Sequence, residues 1–109
     1  MLTPGKYYVN TSMRLTMAFE DENGNDVDPT TVTFKTMSPG GAETTYVYLT
    51  SAALLRASEG HYTVDIVPDE AGRWFFRWVT TGTGTTIAIE GDFLVQDSPF
   101  FQSAVGYAL

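Results

Sequence analysis

Polar and apolar side chains alternate along most of the chain, and the alternation has period two. Met13, Leu15, Met17 and Phe19 interleave with Arg14, Thr16, Ala18 and Glu20. A strand sends successive side chains to opposite faces, so this stretch has one buried face and one wet face. The same pattern predicts a strand from about Thr31, with Val32 and Phe34 facing one way and Thr33 and Lys35 the other. It predicts another over Thr44–Leu49, where Tyr46 and Tyr48 oppose Val47. The densest apolar rows lie in Tyr62–Val67 and Trp74–Val79, which read as two strands of one hairpin joined by Pro68-Asp-Glu-Ala-Gly72. Tyr62, Val64 and Ile66 form one row, and Trp74, Phe76 and Trp78 the other. The interleaved Arg73 and Arg77 mark the wet face, so Tyr62, Trp74, Phe76, Trp78 and Phe93 are the expected core. The last strand, Thr86–Gln96, places Ile87, Ile89, Phe93 and Val95 on one side. Gly91 shares that register and marks a bulge or a close approach over a ring.

Turn chemistry separates these runs. Asn23-Gly24 supplies residues that tolerate positive φ, Ser38-Pro-Gly-Gly41 is a second turn, and Thr80–Thr85 reads as a flexible hairpin loop. Pro29 has no amide proton to give a ladder, so the following strand begins after it. Lys6–Val9 reads as a short edge strand. Thr50–Ser58 is either one helical turn capped by Ser51 or a strand-like crossing with Leu55 facing in. Nine residues are few for an independent helix, which favours the crossing.

About seven short strands with regular turn signals predict an all-β sandwich or barrel, with immunoglobulin-like packing favoured. At 109 residues the chain makes one domain that buries roughly two thirds of its extended surface. The sandwich spans residues 1–97. Residues 98–109 form an extended C-terminal tail carrying Phe100, Phe101, Val105, Tyr107 and Leu109. A solvated tail is usually polar. This one either folds back on its own domain or docks on a neighbour, and exposed aromatic anchors favour the neighbour.

Composition narrows the function more than it names it. The net charge of −7 and six scattered basic residues argue against a phosphate-backbone binder, so no nucleic-acid partner is expected. The start lacks a charged and apolar leader pattern, and no apolar run approaches the roughly 20 residues of a membrane helix. No membrane partner is expected either. Absence of cysteine removes any argument for an oxidising compartment. Glu20–Asp28 holds five carboxylates in nine residues, and Asp21, Asn23 and Asn25 echo the opening of a calcium loop. The glycine at 24 and Val32 at the closing position break that pattern, so a solvated turn is the preferred reading and no metal or other cofactor is expected. His61 is the sole histidine, which leaves neither a multi-histidine metal site nor a convincing catalytic triad. The expectation is a non-enzyme. Trp74, Trp78, Tyr46 and Tyr48 would suit a sugar-stacking platform, but both tryptophans sit in the core register.

Gly60-x-Tyr62, Pro68-Asp-x-Ala-Gly-x-Trp74, Arg77-Trp78, Gly82-x-Gly84 and Glu90-Gly-x-Phe93-x-Val95 together resemble a family of small Ig-like virion proteins of tailed bacteriophages. Phe19-x-Asp21-x-x-Gly24 and Asp28-Pro-Thr-Thr-Val-Thr-Phe34 extend the resemblance, which covers roughly Lys6 to Ser98. Gly60-His61-Tyr62 also resembles the corner tyrosine of Ig sandwiches, whose hydroxyl bonds to backbone. The resemblance implies a structural, non-enzymatic virion component present in multiple copies, assembled in the host cytoplasm. Its partners would be capsid, portal, neck or tail subunits. The alternative it leaves open is a carbohydrate- or host-surface-binding Ig-like module. No ligand residues carry over, and the tail lies outside the match.

Overall fold

A computed structural model of the chain describes residues 7–82 and 87–97. It places eight strands there: β1 (Tyr7–Tyr8), β2 (Met13–Ala18), β3 (Thr31–Met37), β4 (Glu43–Val47), β5 (Leu54–Ser58), β6 (His61–Ile66), β7 (Gly72–Thr81) and β8 (Ile87–Gln96). They form a five-stranded sheet of order β1-β8-β7-β3-β4 and a three-stranded sheet of order β2-β6-β5. The protein is an all-β, immunoglobulin-like sandwich. Its core joins Met13, Phe19, Tyr62, Val64 and Ile66 of the small sheet side to Val32, Phe34, Trp74, Trp78, Phe93 and Val95 of the large one.

The expected hairpin of the two densest strands does not exist. β6 pairs with β2 and β5, whereas β7 pairs with β3 and β8. The connection over residues 67–71 therefore carries the chain from one sheet to the other. Pro68 is fully buried in this link and its carbonyl accepts the Asn10 amide at 2.7 Å. The Trp74 indole N–H donates to the Glu70 carbonyl at 2.8 Å, fixing the far end. Alternation tells which side chains face inward. It does not tell whether two such rows lie side by side or face each other across the core, and here they face.

The real hairpins are β3–β4, β5–β6 and β7–β8. Gly41 takes a φ of +94° in the first of these turns. β7 runs on to Thr81, so it takes in part of the expected Thr80–Thr85 loop; residues 83–86 lie outside the described residues. β1 is parallel to β8, with Tyr7 beside Val95 and Tyr8 beside Gln96.

Three readings of individual side chains change. In β5 it is Leu54, 1% exposed, that faces in, while Leu55 is 52% exposed. The run Ala53-Leu-Leu-Arg56 has no alternation to choose between them; the register does, setting Leu54 against buried Val64 and Leu55 against Thr63. Phe76 is on the core-facing row but only half-buried. It packs over Gly91, its direct partner on β8, where an added Cβ would meet the ring at 2.5 Å. The β7–β8 register runs unbroken, so Gly91 provides the close approach and no bulge. Ile87 and Ile89, expected inside with Phe93 and Val95, are each 39% exposed.

Candidate interaction surface

The polar residues singled out from the sequence turn out to hold the fold's loops. Asp21 Oδ1 accepts the amides of Asn23 at 2.8 Å and Asn25 at 3.0 Å, which closes the turn around Gly24 at φ +83°. Those amides hold the Asp21 carboxyl below its ordinary range, the Asn25 amide most of all. Among the described residues no three acidic or histidine side chains converge as metal ligands. His61 Nε2 lies 3.3 Å from Asp26 Oδ2 on the exposed side of the same loop.

Asp28 is the polar hub, which sequence reasoning missed. Arg56 Nε donates to both its oxygens at 3.1 Å, with Nη2 at 3.0 Å. The Gly60 amide donates at 2.8 Å and the Tyr62 hydroxyl at 3.1 Å. The corner-tyrosine expectation is thus corrected: this hydroxyl binds a carboxylate, and Tyr62 sits on the central strand of the small sheet. Hydrogen bonds from Arg56, then Gly60 and Tyr62, lower the Asp28 pKa to about 2. Burial, then the bond to Asp28, raises Tyr62 to about 12. A carboxylate so fully engaged and a phenol so firmly protonated offer neither a base nor a nucleophile near neutrality. The cluster clamps the 20–30 loop to β5 and β6. No sequence signal could have located it, because its members come together only through strand pairing.

The surface that looks made for contact is the outer face of the five-stranded sheet. Ladder register sets Glu43, Met37, Phe75 and Asp92 in one row across β4, β3, β7 and β8, and Thr45, Lys35, Arg77 and Glu90 in the next. Phe75 is 43% exposed, Met37 37%, and Leu94, opposite Arg73, 46%. Around these apolar groups stand the ion pairs Arg73–Asp92 at 2.9 Å, Lys35–Glu43 at 3.5 Å and Arg77–Glu90 at 3.5 Å. A hollow of about 260 Å³ opens between Lys35, Met37, Glu43, Phe75, Arg77 and Glu90. Exposed pairs of this kind add little stability. An apolar centre with a charged rim is the anatomy of a protein-binding face. Its sequence signal was available in Phe75, a large aromatic between two arginines.

Both tryptophans, by contrast, are inside, Trp74 at 7% and Trp78 at 1% exposure. Tyr46 and Tyr48 are half-buried, their rings against Phe34 and Tyr62. Tyr62 and Phe93 are also buried. The tail residues Phe100, Phe101, Val105, Tyr107 and Leu109 lie outside the described residues.

Comparison with solved structures shows the fold. The chain is similar to the filamin domain of Lin-41, with a TM-score of 0.61 at 13% identity, covering 84% of this chain and 83% of that one. It is also similar to part of a Bacteroides vulgatus protein provisionally assigned as a glycoside hydrolase, with a TM-score of 0.57 at 17% identity. That match covers 85% of this chain but only 16% of the other. Likeness at these identities carries the sandwich architecture and nothing about activity. No family model and no curated protein matches the chain.

Proposed function

We propose that this protein is a non-enzymatic structural component of a tailed-phage virion. It is carried in multiple copies and attached to the capsid or the head–tail connector. The sandwich is the body, and the aromatic segment 98–109 holds the adjoining subunit, so that weak single contacts add through avidity. The observation that carries this reading is the outer sheet face: Phe75, Met37 and Leu94 are exposed together within a rim of ion pairs, a surface suited to a protein neighbour. The sequence resemblance supplies the virion context. A carbohydrate- or host-surface-binding role would need open, coplanar rings, and the two best candidates are in the core.

The experiment is incorporation into particles assembled in the host cytoplasm. Deleting residues 99–109 is expected to leave a folded domain that no longer copurifies with particles, and Phe75→Asp to reduce incorporation. Unchanged incorporation of both variants overturns the proposal.

A further inference from the structure

The sandwich has one long edge that nothing described protects. β1 covers only the end of β8, at Val95 and Gln96, and the Val9 amide adds one bond to the Gln96 carbonyl. Strand alternation then turns the amides and carbonyls of Ala88, Glu90, Asp92 and Leu94 to the same open side, away from β7. Proteins usually blunt such an edge with a bulge, a proline or a very short strand. β8 has none of these: its register to β7 is unbroken over Ile87–Val95 and residues 87–96 contain no proline; its exposed charges, Glu90 and Asp92, are paired with Arg77 and Arg73 of β7. The β5 edge, in contrast, carries an irregularity between Arg56 and Ser58.

Apolar side chains line this open edge. The core-facing row of β8 goes from buried Val95 and Phe93 to Ile89 and Ile87, 39% exposed each. On the other sheet, Leu15 and Met17 of β2 are only half-buried. A four-residue link, 9–12, joins β1 to β2. It holds the β2 edge on the same side of the sandwich as the β8 edge. The result is a seam between the β2 and β8 edges, lined by partly exposed apolar side chains.

The chain itself holds a segment of matching pattern. Within residues 104–109, Val105, Tyr107 and Leu109 alternate with Ala104, Gly106 and Ala108. As a strand it has one large apolar face and one face of minimal bulk, suited to an edge where one side meets a core and the other lies flat. The N-terminal sequence has the poorer pattern for a strand, since Pro4 has no amide proton to give a ladder. In its own chain the tail leaves β8 at Asp97, and β1 occupies the first positions along which it would fold straight back.

We propose that the C-terminal segment of one copy adds as a strand to the β8 edge of a second copy, seating Val105, Tyr107 and Leu109 beside Ile87 and Ile89. This rests on the reading of the tail as a docking segment and names its partner as another copy of the same chain. The contact is head-to-tail, so it builds rings or linear arrays in place of closed two-fold dimers.

Self-association of the purified full chain tests it. Sedimentation velocity over a concentration series is expected to show species larger than a monomer. Deleting 98–109 or introducing Ala88→Pro, which removes an edge amide without touching the β7 ladder, is expected to weaken association at least tenfold with circular dichroism unchanged. Because the chain has no cysteine, Ile89→Cys copies mixed with Tyr107→Cys copies in a short bismaleimide are expected to give a cross-linked heterodimer. That arm decides the matter if Ala88→Pro misfolds. A strictly monomeric full chain, association that survives loss of the tail, or the absence of a heterodimer between the Ile89→Cys and Tyr107→Cys copies each overturn the proposal. Loss of particle incorporation on tail deletion in a chain that stays monomeric would sink this inference and leave the virion reading standing.

Discussion

Adjacent leucines in β5 provide the sharpest test of the fold. Leu54 is 1% exposed opposite fully buried Val64, whereas Leu55 is 52% exposed opposite Thr63. Leu54→Ala removes about three methylene-sized groups from the core, at about 0.8 kcal/mol each. The cavity left behind adds to this, bringing the expected loss to about 2.5–4 kcal/mol. Leu55→Ala removes the same atoms from a surface site, where effects stay within about 0.5 kcal/mol. Urea titration followed by tryptophan fluorescence measures both, since Trp74 and Trp78 are buried in the native state. The midpoint should fall sharply for the first variant and barely for the second, at constant slope. In a thermal melt the Leu54→Ala loss corresponds to a drop of roughly 10 °C or more. Equal losses at the two positions, or a larger loss at Leu55, would refute the β5–β6 register and with it the assignment of the small sheet's inner face.

Two other outcomes follow from the geometry. Asp28 has a folded pKa of about 2, below its ordinary 3.8, so the stability it lends is complete above about pH 4 and is lost as pH falls toward 2. Tyr62, raised from 10 to about 12, lends stability that is complete below pH 10 and lost as pH rises toward 12. Urea midpoints of the wild type against Asp28→Asn should converge on the acid side, and an undiminished gap at pH 2 would contradict the hub. Gly91→Ala forces a methyl against the Phe76 ring, at 2.5 Å before relaxation, and is expected to cost about 1–3 kcal/mol by overpacking. Combining it with Phe76→Ala should recover much of that loss, and strict additivity of the two changes in urea midpoints would show that no such contact exists.

The chain's one-dimensional pattern was enough for its class and for most inward-facing side chains. Period-two alternation placed Val32, Phe34, Tyr62, Val64, Trp74 and Trp78 on buried rows, and glycine chemistry placed the turns at Gly24 and Gly41. Glycine in the apolar row at position 91 signalled either a bulge or a close approach over a ring, and the unbroken β7–β8 register and the Phe76 ring decide for the approach. Part of the candidate contact surface was readable as Phe75 between Arg73 and Arg77. What alternation cannot encode is the identity of a strand's neighbour. A row of apolar side chains is buried equally well against a facing sheet or within a hairpin, so β6 and β7 were separable only once β2, β3, β5 and β8 had taken their places. The choice of Leu54 over Leu55, the meeting of Asp28 with Arg56 and Tyr62, and the pairing of β1 with the end of β8 all depend on register between distant segments. Local periodicity sets faces; partner and register are settled by how whole strands fill a shared volume and satisfy each other's amides, and that was decided in three dimensions.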